Sequence, residues 1–406
     1  MKTVLYISYD GMTDPLGQSQ VLPYLRGLCK NGYRISLISC EKKERFEQHR
    51  EQIERICNEA GINWHPLSYT KKPPLLSTIW DLKKINRKAE QLYKTERFQL
   101  THCRSYIAAL AGIRMKKRYG TKMLFDMRGF WANERVDGNI WNLSNPLFKQ
   151  VYAFFKRKER IFLSQSDHII SLTENGKNEL LSWNVPAVHD SKITVIPCCV
   201  DLNLFDPETI SPDEQNNKRA SLGIGKTDYI VGYVGSIGTW YMLPEMLDYF
   251  AVFKKHHPAA RFLFVTGEHP ATILAVAHEK GIDSSAILVT SCLHKEVPLH
   301  ISLFNESVFF IRPSYSKKAS SPTKQGEIMA MGIPLVCNAG VGDTDRIVRQ
   351  YHSGTVIETL NDVSYEQAVG KGISYDRNKT LTGATEYFSL ESGVARYAKI
   401  YETLIG

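Results

Sequence analysis

Short apolar runs rich in β-branched residues recur along the 406-residue chain, each followed by a segment whose apolar residues return every three or four positions. That alternation leaves few folds open. The start shows it in full: TVLYIS (3–8), a loop YDGMTDPLGQ, a helix over 19–30 stopped by Asn31-Gly32, and a second strand YRISLIS. This is a βαβ unit opening a parallel sheet, and FQLTHC, KMLFDM, HIISLT and ITVIP continue it. A second series begins with YIVGYVGS (229–236) and runs through RFLFVTG, AILVTS, SVFFIRPS and IPLVCNA. Between the two, residues 203–228 are polar and turn-forming, so the domain boundary is expected there. The pattern predicts an α/β protein of two Rossmann-like domains facing across a cleft: an N-terminal domain over 1–205, a C-terminal domain over 206–385, and a closing helix over 386–406 that packs back on the first domain.

A chain of this length exceeds one ordinary core, and 43% apolar with 23% charged residues fits a globular protein. Its net charge of +9 favours anionic partners: nucleic acid, acidic lipid or phosphorylated small molecules. No helix-turn-helix, finger or RNP pattern directs that charge to nucleic acid, which is set aside. Two stretches, 71–88 (KKPPLLSTIWDLKKINRK) and 145–163 (NPLFKQVYAFFKRKERIFL), combine aromatics with basic runs. They suit an anionic membrane surface, or equally core helices with solvated basic faces. The eight cysteines form no C-x-x-C unit, which points to a reduced, cytosolic chain without zinc. The N-terminal apolar run breaks too soon for a signal peptide, and no run approaches the roughly 20 apolar residues of a membrane span.

Residues 320–336, SSPTKQGEIMAMGIPLV, concentrate the chemistry. Ser321 reads as an N-cap, Pro322 as the first helical residue and Gly332 as the stop. Lys324 then sits in the first turn, where the helix dipole favours an anion. Strand ends and helix N-termini facing a cleft suit a phosphate-bearing ligand. Lys324 and Glu327, three residues apart, would otherwise form an intrahelical ion pair. After the first strand the dinucleotide fingerprint is absent. Gly11 and Gly17 serve there either close backbone approach or simple turn geometry, and Glu41 either binds a ribose or opens the charged run EKKER. His102 and Arg104 in THCRSY end another strand at the cleft. Asp126, closing KMLFD, and Arg128 just after it act on a ligand or brace each other beneath it. Asp343 and Asp345 in GDTD match a metal-binding D-x-D, but Asp343 is better placed as a helix N-cap, so no metal is expected.

SPTKQGEIMAMGIPLV, VIPCCVD before the linker, YVGSIGTWY after it, DMRGFWANER (126–135), SLTENGKNEL (171–180) and the closing ARYAKIYETL together resemble the retaining GT-B glycosyltransferases of family 4, in a bacterial branch. The resemblance implies a nucleoside-diphosphate sugar as donor substrate, with no cofactor. Its diphosphate would lie at Lys324 and its ribose at Glu327, with Gly17, Gly235, Ser236, Thr239, Arg312, Ser321 and Thr323 also on the donor. Asp126, Arg128, His102 and Lys324 would act in catalysis, and Arg104 and Trp131 would meet the acceptor. The chain departs from the family in three places. The first glutamate of the usual E-x7-E pair falls on Ala319; the Arg and Lys that follow the glycine opening the second domain are replaced by Ser-Ile-Gly-Thr-Trp-Tyr after Gly235; and Asp126-Met127-Arg128 stands where a histidine is usual. Lys324, Arg312 and amides of residues 235–239 would then neutralise the leaving diphosphate. Arg312 fits equally a structural surface cation. The implied activity is retaining transfer to a saccharide or lipid-linked saccharide in surface glycan synthesis, on the cytoplasmic face of a membrane. A non-hydrolysing nucleotide-sugar epimerase and a non-catalytic nucleotide-sugar-binding protein share the architecture.

Overall fold

The computed structural model describes residues 2–406. The chain divides into two compact units: the stretch up to Pro197 with Lys318–Ser320 and Leu390–Gly406, and Cys198–Lys317 with Ser321–Ser389. In the first unit, β1 (Lys2–Ser8), β2 (Tyr33–Glu41), β3 (Ile62–Ser68), β4 (Leu100–Arg104), β5 (Lys122–Asp126), β6 (His168–Ser171) and β7 (Ile193–Val195) form one sheet in the order β3-β2-β1-β4-β5-β6-β7. In the second, β8 (Tyr229–Val234), β9 (Ala260–Val265), β10 (Ile287–Thr290), β11 (Glu306–Phe309), β12 (Leu335–Asn338) and β13 (Gly354–Ile357) are ordered β10-β9-β8-β11-β12-β13. Every strand pairing within the two sheets is parallel. Parallel neighbours require helical crossovers that cover both faces, so the central strands are buried; β4 and β11 are buried along their whole length, polar residues included. In each sheet the strand order reverses beside the first strand of the series, the point at which α/β sheets bind ligands.

In the first unit, the helices Leu76–Glu96 and Pro146–Gln165 flank Ser105–Tyr119. The closing helix Leu390–Ile405 packs on the helix Leu22–Lys30, where a Cβ at Gly27 would lie 2.6 Å from Val394.

Three local expectations are corrected. The helix expected over 19–30 is two helices, Pro15–Gln20 and Leu22–Lys30, broken at Val21. Pro23 has no N–H for the carbonyl four residues earlier, so the ladder cannot run through. The polar stretch 203–228 belongs to the second unit and carries a helix, Pro212–Ser221, closed by a reciprocal Ser211–Glu214 capping box. The chain passes between units at Pro197/Cys198 because Val200 and Phe205 already lie in the second core, and the Val200 N–H donates to the Phe388 carbonyl. Ser321 does not cap the helix that follows it. That helix is Thr323–Ala330 with Pro322 in extended conformation at its N-cap, and the Ser321 hydroxyl accepts the Cys198 N–H at 3.2 Å. Gly332 ends it as expected, in the left-handed region at φ 64°.

Candidate functional site

In the second unit the helix Thr323–Ala330 is buried from Lys324 onward. Lys324 itself is only 7% exposed, and its ammonium lies 3.8 Å from the ring centre of Tyr233 and 3.6 Å from that of Tyr241. It has no hydrogen-bond partner. Cation–π contacts offset only part of the lost hydration, so burial holds its pKa well below the ordinary lysine value, with Glu327 pulling the other way. The intrahelical ion pair is not formed: Glu327 accepts from His294, whose Nε2 is 3.3 Å from Oε1. Gly235, just beyond β8, has φ 102°, and a Cβ there would sit 3.2 Å from the Lys324 nitrogen. Glycine is therefore needed both for the backbone and for the space beside the cation.

The loop from Gly235 is partly committed to the protein. The Gly235 N–H donates to the Val265 carbonyl, and the Tyr233 hydroxyl donates to the Ser236 carbonyl. Ser236 and Thr239 are exposed, and Thr323 is half-buried. Arg312 stacks its guanidinium 5.2 Å from the Trp240 ring centre, and Lys317 places its ammonium 3.7 Å from the same centre. Lys317, Tyr233, Tyr241 and His294 were not among the sequence candidates. Lys317 had a readable signal, a second lysine seven residues before Lys324; the others are distant in sequence.

Asp343 occupies the N-cap position of Thr344–Gln350, but its side chain does not cap the helix. Its buried carboxylate accepts from the Tyr387 hydroxyl at 2.7 Å and from Arg346 at 3.3 Å, the stronger partners available. Asp345 accepts the N–H groups of Gly340 and Arg346.

In the first unit, the ends of β4 and β5 bring Arg104 level with Asp126. Asp126 is buried; its Oδ2 accepts from the Tyr397 hydroxyl at 3.1 Å and lies 3.6 Å from His102 Nε2, and its Oδ1 is 3.9 Å from Arg128. Burial raises the carboxyl pKa, but Arg128, His102 and Arg104 together hold it below the usual value. Burial conversely lowers that of His102, whose Nδ1 is 2.7 Å from the Tyr401 hydroxyl. The surroundings thus favour the ionised form of the carboxyl and the neutral form of the imidazole. Both line a cavity of about 10 Å³ with Tyr6, Gln20 and Tyr397, room for one water. Arg104 is buried, with two guanidinium nitrogens lacking hydrogen-bond partners and Asp10 3.5 Å away. Immediately after these strands, Ser105 (φ 66°) and Arg128 (φ 57°) take left-handed conformations that non-glycine residues seldom adopt.

Glu41 is not available to a ribose. Its carboxylate accepts from the amides of Met12 and Thr13 and from the hydroxyls of Thr13 and Ser39, clamping the loop after β1. Gly17 lies in the helix Pro15–Gln20, where a Cβ would fall 2.3 Å from the Gly11 carbonyl oxygen, so its close approach is to its own loop. Trp131 is half-buried among Tyr106, Trp141 and Phe155, with Arg135 over its ring.

Residues 18–204 match the family model "Glycosyltransferase Family 4", and residues 214–379 match "Glycosyl transferases group 1". Among curated proteins, a D-inositol 3-phosphate glycosyltransferase of Segniliparus rotundus is 23% identical over 269 residues, 65% of this chain and 56% of the relative. EpsD of Bacillus subtilis is 22% identical over 221 residues, 53% of this chain and 54% of its own. The chain thus spans about half the length of the curated relatives it matches. Two solved structures share its fold: a glycosyltransferase from Rickettsia africae (TM-score 0.72, 15% identity, 100% of this chain and 98% of that one) and Anabaena HepE, solved with UDP and glucose (TM-score 0.71, 10% identity, 99% and 100%).

Proposed function

This chain belongs to glycosyltransferase family 4 and has the GT-B fold, and from that premise we propose that it moves a hexose-type sugar from a nucleoside diphosphate to a saccharide acceptor with retention at the anomeric carbon. The observation that carries the donor assignment is Lys324: a buried ammonium with no hydrogen-bond partner, in the first turn of a helix whose amides favour an anion. A donor diphosphate supplies the missing counter-charge. Glu327, one turn on, accepts from the ribose hydroxyls, with His294 orienting it. Arg312, Ser236, Thr239, Ser321 and Thr323 complete the donor contacts, with protein cations in place of a metal.

As the bond from C1 to the diphosphate oxygen breaks, an acceptor oxygen bonds to C1 on the same face, and its proton passes to the departing phosphate. Arg128 acts at the acceptor end, with Asp126 and His102 buried behind it as positioning residues and Arg104 and Trp131 nearby. The acceptor is a lipid-linked saccharide in surface glycan synthesis, reached from the cytoplasmic side of the membrane.

Incubation of the pure protein with a panel of UDP-, GDP- and ADP-sugars, following free nucleotide and sugar epimer, tests the reading. Nucleotide release stimulated by a saccharide acceptor is the expected result. Epimer formation would replace the proposal with an epimerase, and tight donor binding without turnover would reduce it to a binding protein.

A further inference from the structure

Seven of the eleven large apolar side chains exposed among the described residues fall in two short stretches of the first unit. Leu76 (63% exposed), Ile79 (52%) and Trp80 (59%) form one stripe at the start of the helix Leu76–Glu96, since positions three and four apart share a helix face. Leu147 (54%) and Phe154 (37%) repeat it on the helix Pro146–Gln165, preceded by Ile140 and Leu143. The two helices flank Ser105–Tyr119 on one side of the sheet. Both begin at its C-terminal edge, because each crosses from one parallel strand to the next, β3 to β4 and β5 to β6. With helix axes packed about 10 Å apart, the stripes lie roughly 20 Å from one another across the middle helix.

Within the two helical stretches the exposed charge has one sign. Residues 71–88 hold six lysines and arginines and a single acid, Asp81, which is buried and bound by Tyr9, Thr70 and Lys84. Residues 145–160 hold five, and their one acid, Glu159, is buried against Lys156. Exposed apolar tips, an outward tryptophan and uncompensated lysines at two separated points suit a planar, anionic, greasy partner rather than a single groove-filling segment.

We propose that this edge of the first unit docks on an anionic lipid bilayer, with the Leu76–Trp80 and Leu147–Phe154 stripes entering the headgroup layer and the flanking lysines and arginines meeting lipid phosphates. This deepens the reading of a membrane-borne acceptor. Vesicle binding is scored without donor or acceptor, so the docking and the transferase reading fail separately.

The test is cosedimentation of the full chain with phosphatidylcholine vesicles and with vesicles containing about 30% phosphatidylglycerol. Binding is expected to the anionic vesicles alone and to weaken as salt is raised to about 0.5 M. Ile79→Ser/Trp80→Ser and Leu147→Ser/Phe154→Ser should each reduce it at least about tenfold, with unchanged thermal melts because these side chains are exposed. Leu293→Ser/Val363→Ser, exposed in the second unit, should bind as wild type. No binding to anionic vesicles, or equal loss in the Leu293/Val363 control, would overturn the proposal. So would a concentration-dependent dimer in size-exclusion chromatography that both first-unit variants abolish, since a second copy of the chain would then cover this edge.

Discussion

Lys324 is an ammonium removed from water and given two phenol rings instead of an anion. If a diphosphate supplies the counter-charge, Lys324→Met should weaken nucleoside-diphosphate binding ten- to hundredfold, as expected for a hydrogen bond to a charged group. Burial lowers the lysine pKa in the free protein, and a bound anion raises it, so binding takes up a proton between the two values. Wild-type affinity should therefore fall as pH rises through that interval, while Lys324→Met stays flat. Titration calorimetry in two buffers of different ionisation enthalpy reads the proton directly; equal heats in both would remove the linkage. The lysine was legible in the sequence because it conflicts with the helix dipole. Its rings were not, because Tyr233 and Tyr241 come from the end of β8 and the loop after it, far upstream. Glu41 misleads for a related reason: a carboxylate ending the second strand is where a ribose ligand would be read, and only the folded loop shows its lone pairs already taken.

At the level of strands and helices, the alternation of apolar runs was enough to read two parallel sheets, because strands buried on both faces leave a dense apolar signal, whereas the edge strands β3 and β13, less deeply buried, were not among the runs named. Helix ends were read less well. Pro23 breaks a helix whose apolar spacing runs straight through it, and Ser321 spends its hydroxyl on Cys198 rather than on the helix it precedes. Buried polar pairings inside elements were invisible. Glu306, at the start of β11, is fully buried and accepts from Tyr229 and Tyr249; burial pushes its pKa up to about 7 despite those hydroxyls. A carboxyl raised in the folded state favours folding while protonated, so its contribution is complete below the ordinary value of 4.5 and is lost as pH rises through about 7. Urea midpoints of the wild type should fall between pH 5 and 8 relative to Glu306→Gln, by a difference of about 3 kcal/mol at most. Parallel curves would show that Glu306 does not titrate there. Ala319 stands where the family's first glutamate is expected, and it is 3% exposed, with Gly176 and Gly129 packed against it. Ala319→Glu should cost about 3 kcal/mol or more in chemical denaturation, by burying a carboxylate without a partner; a neutral result would mean the site opens to admit it.

For the whole molecule, the closing helix is part of the first unit's core rather than an appendage. Val394, Tyr397, Ile400 and Tyr401 are buried, and two of them bond Asp126 and His102. Removing residues 390–406 should lower the melting temperature by more than about 10 °C, from the lost apolar burial alone. The first unit should then be cut preferentially in limited proteolysis; wild-type resistance would show that the helix is dispensable. The sequence marked this segment as a helix, but its tyrosine bonds join residues nearly three hundred positions apart, and no local pattern carries them.

The chain changes units four times: at Pro197/Cys198, Lys317/Lys318, Ser320/Ser321 and Ser389/Leu390. Three of the first unit's residues are thus threaded through the stretch that leads into Lys324 and Glu327. Neither half is a contiguous cassette, so grafting a foreign second half onto this first one by a single splice would replace residues 318–320 of the first unit with the donor's counterparts. Engineered hybrids made with a paralogue would keep both halves intact only if that tripeptide and the final seventeen residues came from the parent that supplies the N-terminus.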